Sequence, residues 1–139
     1  MLSLEQIAAL AAFDAHGSPV LSVYLDLDPA RQLRRSYRMT FAELVKAARA
    51  WVEAPASRRL AEEAARVQAW LDAEVRRGMG LAVFSCAPRS FWRAELLADR
   101  VTNHLTFGPT PDVAPLLRIA DEYERYAVAA VERLISHAP

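Results

Sequence analysis

Two short apolar segments, VLSVYLDLD at residues 20–28 and GLAVFSC at residues 80–86, limit the folds open to this chain more than any other feature. In the first segment apolar and polar side chains alternate, as they do in a β-strand, and Pro29 ends the strand because proline cannot donate to a ladder. The second segment is apolar on both sides, which predicts a central strand covered on both faces. The chain therefore needs a sheet with helices packed on it.

The segments between and after these strands complete the predicted topology. Residues 31–53 and 58–77 show the helical spacing of apolar side chains, and this two-helix connection is long enough for a parallel, right-handed crossover. Residues 91–97 and 100–107 alternate apolar and polar side chains, as half-buried strands of antiparallel hairpins do. We therefore predict an α+β fold, with a mixed sheet of about four strands and one long two-helix crossover between strands 1 and 2.

Secondary structure can also be predicted near both ends of the chain. Residues 3–13 have helical spacing with Ser3 as the N-cap, and Thr110 or Asp112 caps a later helix. The final segment, residues 126–139, begins with the apolar run YAVAAV, which predicts a strand.

The length of 139 residues fits one domain, and a hydrophobic share of 53% is ample for a core. We expect a single domain over residues 1–125 and a tail at residues 126–139.

No apolar run approaches the roughly 18–20 residues that cross a bilayer, and MLSLEQIAAL lacks the basic region of a signal peptide, so we expect no membrane partner. The single cysteine, Cys86, rules out an internal disulfide and fits the cytoplasm.

Four arginines at the start of the predicted 31–53 helix form the strongest charge pattern. The formal net charge is zero, with 17 basic and 17 acidic residues, which argues against a general polyanion binder. Guanidinium groups in a row nevertheless suit phosphate oxygens, and four are spaced to share one helix face: Arg31, Arg34, Arg35 and Arg38. We favour the alternative, a solvated face whose arginines pair with Asp26 and Asp28, because charge runs are usually solvent faces.

Asp26 and Asp28 point to the same side at the carboxyl end of the first predicted strand. In open α/β sheets ligands bind at that end, so the two carboxylates could hold a divalent cation, or one could act as a general base. The favoured alternative is structural: Asp28 caps the next helix and Asp26 pairs with an arginine. A metal site normally recruits three or more ligands, and no third is evident.

Catalytic motifs are otherwise absent from the sequence. Cys86 could be a nucleophile only with a nearby base such as His104, and a buried cysteine that behaves as a small hydrophobe is the simpler interpretation. The chain has no phosphate-binding loop, dinucleotide fingerprint, zinc-protease motif or nucleophile elbow. We therefore predict no catalytic residue, no metal and no cofactor.

Four segments, taken in this order, carry a resemblance to a known family: SPVLSVYLDLDP (18–29), RQLRRSYR (31–38), GMGLAVFSCAP (78–88) and FGPTPDVAPLLRIADEYERYAVAAV (107–131). The chain resembles the N-terminal domain of the bacterial relatives of the archaeal and eukaryotic peptide-chain release factors. VYLDLDP and PLLRIADEYERYAV are the most specific parts of this resemblance.

The resemblance implies a multidomain parent protein whose next domain, in release factors proper, carries a Gly-Gly-Gln loop that reaches the peptidyl transferase centre. YAVAAVERL resembles the first strand of that domain, and without that domain residues 126–139 could form an unpaired strand, a frayed tail or a helix that packs differently. This sequence contains neither Gly-Gly-Gln nor an Asn-Ile-Lys-Ser-type stop-codon motif. The resemblance therefore implies a ribosome-associated or translation-rescue setting, without hydrolysis or codon reading by these residues.

These observations lead to one expected function and two alternatives. We expect a non-catalytic, translation-associated module that contacts the ribosome, tRNA or rRNA through the four arginines, which the two aspartates orient. The first alternative is a protein-interaction or homodimerisation domain whose surface is residues 91–107 or the apolar tail 126–135. The last is a small metal-dependent hydrolase built on Asp26 and Asp28.

Overall fold

The computed structural model describes residues 2–32, 36–73 and 77–136. The chain forms five helices and four strands in these ranges, with a short 3-10 turn at Ala87–Arg89. In chain order they are α1 (Leu4–Ala11), β1 (Val20–Asp26), α2 (Pro29–Gln32), α3 (Tyr37–Arg49), α4 (Ala56–Ala73), β2 (Gly80–Cys86), β3 (Phe91–Leu97), β4 (His104–Gly108) and α5 (Ala114–Ser136).

The four strands form one sheet in the order β3-β2-β1-β4, and every neighbouring pair is antiparallel. The predicted α+β class with four strands is confirmed. The predicted mixed sheet is wrong, because β1 and β2 run antiparallel, with Leu21 opposite Ser85 and Asp26 opposite Gly80.

The two-helix connection explains this direction. A single crossover helix carries the chain back along the strand it has left, whereas two antiparallel helices return it to the end from which it started. The start of α3 does lie beside the end of α4, where Arg38 Nε donates to the carbonyl oxygen of Leu71 at 3.1 Å. The chain therefore enters β2 next to the end of β1, and an antiparallel pair results.

The second predicted hairpin is also wrong. β3 pairs with β2 in a hairpin, as expected, but β4 pairs with the far edge of β1 instead of with β3. The chain crosses the end of the sheet between Leu97 and His104 to reach that edge. It passes so close to Gly80 that a Cβ atom there would lie 2.6 Å from the carbonyl oxygen of Asp99.

Each face of the sheet carries its own hydrophobic core. On one face Leu21, Val23 and Leu25 of β1 pack against α3 and α4, with Phe41 and Leu60 among the fully buried partners. On the other face a smaller core joins the sheet to α1 and to the first half of α5: Ile7, Leu10, Tyr24, Ala82, Phe84, Leu97, Val101 and Leu116. All side chains of β1 and β2 are consequently buried, as a sheet between two helical layers requires.

The helix termini match the sequence in part. α1 begins at the predicted N-cap, where Ser3 and Gln6 form a reciprocal capping box. The predicted 31–53 helix is divided, because Ser36 is extended and caps α3. Residues 126–136 belong to α5, so the strand predicted there is wrong. Among the described helices, none is both long and apolar enough to cross a bilayer.

Candidate functional site

Asp26 and Asp28 do lie together at the end of β1, and arginines hold both. Asp26 Oδ2 lies 3.4 Å from Arg31 Nη1 and 3.6 Å from Arg100 Nη2, while Asp28 Oδ2 lies 3.4 Å from Arg100 Nε. The Asp26 side chain is only 5% exposed, so its charge depends on these guanidinium groups.

The remaining oxygens of the two aspartates bind backbone donors. The backbone N–H of Asp28 donates to Asp26 Oδ1 at 2.9 Å, and that of Ala30 donates to Asp28 Oδ1 at 3.0 Å. Asp28 thus supports the first turn of α2, as the structural alternative predicts. No group of three or more His, Cys, Asp and Glu residues within the described ranges is arranged to hold a metal ion.

Arg31 and Arg38, the two predicted arginines that the structure describes, do not lie on one helix. Arg31 lies in the last turn of α2 beside Asp26, and Arg38 lies in α3, beyond the extended residue Ser36. Arg38 is held within the fold: its Nε atom lies 3.5 Å from Asp72 Oδ1, and its guanidinium lies 5.0 Å from the Tyr37 ring centroid. Arg34 and Arg35 lie outside the described residues. Of the two described arginines, Arg31 pairs with Asp26, as the alternative predicts, whereas Arg38 pairs with Asp72 instead.

Cys86 and His104 are not brought together. Cys86 is fully buried at the end of β2 beside Ala15 and Val20, and burial raises the pKa of its thiol. His104 begins β4, where it lies opposite Tyr24, and its Nε2 atom is 3.2 Å from Asp112 Oδ2. The structure thus contradicts a cysteine–histidine pair and supports the interpretation of Cys86 as a buried small hydrophobe.

Asp112 links the start of α5 to the sheet, a role that the sequence did not reveal. Tyr24 Oη donates to its carbonyl oxygen at 2.5 Å, and its backbone N–H donates to Ser22 Oγ at 2.9 Å. Its side chain accepts from the backbone N–H of Ala114 at 3.2 Å, in agreement with a capping role. Burial, followed by the nearby Asp112 carboxylate, raises the pKa of Tyr24 well above its usual value.

A polar cavity of about 350 Å³ opens beside this junction. Its walls include two arginines, two carboxylates and one histidine: Arg100, Arg118, Asp112, Glu122 and His104. The charges nearly balance, so the cavity does not favour a strongly anionic or cationic ligand.

Glu63 is the most buried charged group in the described ranges, and it is not among the site residues predicted from the sequence. Its carboxylate accepts from Ser85 Oγ at 2.7 Å and from the backbone N–H of Ala87 at 2.9 Å, and it pairs with Arg59. Ser85 is itself fully buried. The spacing from Leu60 did indicate an inward position, because residues three apart share a helix face. The cluster joins α4 to the end of β2 and is closed to substrates.

The second half of α5 exposes a group of apolar side chains. The described chain exposes eleven large hydrophobic side chains, and seven of them lie on α5: Leu117, Tyr123, Tyr126, Val128, Val131, Leu134 and Ile135. We name one set of neighbouring residues here the C-terminal apolar face: Tyr123, Tyr126, Ala127, Ala130, Val131 and Leu134. Tyr126 and Leu134 are 71% and 73% exposed. Soluble proteins rarely leave such a surface without a partner.

A second surface feature is basic. Lys46 and Arg49 lie on α3 and Arg58 lies on α4, and all three side chains are exposed. Within the described parts of the chain, none of the three forms an ion pair.

No protein family matches the chain in a scan of family profiles, and a search of curated proteins finds no match. The candidate site with the clearest physical basis is the C-terminal apolar face.

Proposed function

We propose that this chain is a non-catalytic protein-interaction module whose binding surface is the C-terminal apolar face of α5. The observation that carries the proposal is the exposed apolar side of one helix: of the eleven exposed large hydrophobic side chains in the described residues, seven lie on α5, and four of these seven belong to the face. Covering apolar surface contributes about 25 cal/mol per Å², so binding a partner here is favourable.

The states of the other candidate residues support a non-catalytic role. Asp26 is held by Arg31 and Arg100, which leaves its carboxylate engaged in the fold. Cys86 is buried, and burial raises the pKa of its thiol, so the reactive thiolate is disfavoured.

The setting that we propose is translation in the cytoplasm. Its support is the resemblance of VYLDLDP and PLLRIADEYERYAV to the N-terminal domain of bacterial relatives of the release factors. A free cysteine thiol is also typical of a reducing compartment. In this setting the module would hold a protein partner near the ribosome.

Site-specific photo-crosslinking in the cells that express the protein tests the interaction surface. A photoreactive amino acid at position 134 should give a discrete crosslinked protein. The matched control is position 39, because Met39 is 57% exposed on α3, away from the apolar face. A crosslink at position 134 that is no stronger than at position 39 would contradict the proposal.

A second candidate function is contact with RNA phosphates. The observation that favours it is the set of exposed cations on neighbouring helices, Lys46, Arg49 and Arg58, which lack ion pairs within the described ranges. Such side chains can neutralise phosphates and release counterions, which makes binding depend on salt.

A salt titration of RNA binding tests this candidate. Exchange of Lys46 and Arg49 for Glu should weaken binding at low salt and lower the slope of log K against log salt by about two. The control is Arg125→Glu, on α5, where Arg125 is 79% exposed and pairs with Asp121. Equal affinities for both variants would contradict this candidate. In the same assay, exchange of Arg34 and Arg35 for Ala tests the phosphate contacts that the sequence predicts for these two residues.

A further inference from the structure

The apolar side of α5 is one continuous stripe that is buried in the first half of the helix and exposed in the second half. In the first half of the helix Leu116 is 3% exposed, and Ile119 and Ala120 pack against the smaller core. The same spacing of three and four residues continues through Tyr123, Ala127 and beyond. The side that faces the domain in the first half is therefore the side that is exposed in the second half.

This continuity limits how a partner helix can approach. A second α5 helix in parallel orientation would bring its own domain to the side that the first domain already occupies. In antiparallel orientation the two domains lie at opposite ends of the pair, and the two exposed halves meet.

The spacing along the face matches such an antiparallel pair. Tyr123 and Leu134 are eleven residues apart, which is about three helical turns, with Ala127 and Ala130 between them. An antiparallel pair with its centre between the two alanines sets each Tyr123 against Leu134 of the second copy. The small alanine side chains then meet at the centre, where they allow helix axes to approach to about 8 Å.

The charges beside the face are self-complementary in the same arrangement. Glu122 and Arg133 are also eleven residues apart, so they lie on one flank of the apolar face, at its two ends. In the antiparallel pair each Glu122 lies beside Arg133 of the second copy, and the contact occurs twice. A parallel pair would place both glutamates at one end and both arginines at the other, so these charge pairs could not form.

We infer that the C-terminal apolar face binds a second copy of this chain, as an antiparallel pair of α5 helices. This inference rests on the proposed interaction function and names the partner. The two domains then lie at opposite ends of a helical connection.

Sedimentation equilibrium of the purified full chain tests the inference. The wild type should have the mass of a dimer, and Leu134→Asp should have the mass of a monomer with an unchanged circular dichroism spectrum. Glu122→Arg and Arg133→Glu should each weaken the dimer by about tenfold. The double variant should return the dissociation constant to within about threefold of the wild type, because the charge pairs are restored.

Two controls make the result specific. Arg125→Glu should leave the dimer unchanged, since Arg125 lies about half a turn away from the apolar face. Equimolar Glu122→Arg and Arg133→Glu chains should form a mixed dimer more stable than either homodimer. A double variant that is as weak as the single variants would overturn the antiparallel pairing.

Failure of this inference is distinguishable from failure of the proposed function. A monomeric purified chain, together with a discrete crosslink from position 134 to a different protein in cells, overturns the second copy as partner and leaves the interaction surface standing. A monomeric chain without any crosslink at position 134 overturns both.

Discussion

Ser85 Oγ donates to Glu63 Oε1 across 2.7 Å, and neither side chain has any access to solvent. This contact fixes the middle of α4 to the end of β2. The carboxylate also accepts from the backbone N–H of Ala87, the first residue after β2. It is a polar link inside an otherwise apolar layer, so its removal leaves buried donors without an acceptor.

We therefore expect Glu63→Ala to lower the free energy of unfolding by about 3–5 kcal/mol, because it leaves Ser85 and Arg59 without their buried partner. Urea denaturation measures the change. Glu62→Ala is the matched control: Glu62 also pairs with Arg59 but is 52% exposed, so its loss should cost no more than about 1 kcal/mol. Similar losses for the two variants would contradict the structural role of the buried carboxylate.

Tyr24 should make stability fall at alkaline pH. Its folded pKa is raised above the unfolded value of about 10, so its contribution is complete below pH 10 and is lost as the pH rises further. Tyr24→Phe removes this ionisation and also the hydrogen bond to Asp112, at a cost of about 1–2 kcal/mol at neutral pH. Unfolding free energies measured from pH 7 to 11 should decline less for the variant, and parallel profiles would count against this origin.

Cys86 should resist alkylation in the folded protein. Burial raises the pKa of the thiol, so both access and thiolate formation are disfavoured. The modification rate at pH 8 should be at least about a hundredfold slower in buffer than in urea, and it should increase in variants of lower stability. A rate in buffer close to that in urea would show that the end of β2 is open.

Leu116 and Leu134 lie on the same side of α5 and should respond very differently to substitution. Leu116 is 3% exposed, so Leu116→Ala should cost about 2–4 kcal/mol in chemical denaturation. Leu134 is 73% exposed, so Leu134→Ala should cost about 0.5 kcal/mol or less when unfolding is measured at concentrations low enough to keep the chain monomeric. A large loss at Leu134 under those conditions would mean that the domain itself covers the face.

Gly80 should not accept a side chain. A Cβ atom there would lie 2.6 Å from the carbonyl oxygen of Asp99, so Gly80→Ala should destabilise the fold by about 1–3 kcal/mol. Gly108 lies on β4 with open space at its Cβ position, so Gly108→Ala is the matched control and should be close to neutral. Thermal unfolding of the two variants separates a steric effect from the general effect of replacing glycine.

Local structure could be predicted from the sequence because its signals are local. The alternation around Val23, the apolar segment that became β2 and the N-cap at Ser3 each depend on a few neighbouring residues. The pairing of Asp26 with an arginine and the capping by Asp28 follow from charge and turn chemistry at the end of one strand. The predicted phosphate-binding face needed an unbroken helix from Arg31 to Arg38. Ser36 is extended and caps α3, so the helix is not continuous there.

Long-range features could not be predicted in the same way. Alternation shows that residues 104–108 form a strand, but it does not say which edge of the sheet accepts them. The run YAVAAV at the start of residues 126–139 suits a strand by composition. It continues α5 instead, because a helix that has already formed extends at little cost through alanine, glutamate and leucine.

The position of β1 also has a consequence for the order in which the protein is made. β1 lies between β2 and β4, yet both neighbours follow it in the chain, and β4 ends only at Gly108. During synthesis β1 therefore emerges long before either partner, and its seven residues, all buried in the finished fold, have no strand beside them. Sheets assembled from such distant segments fold slowly, so this strand is the part of the nascent chain most in need of protection from aggregation.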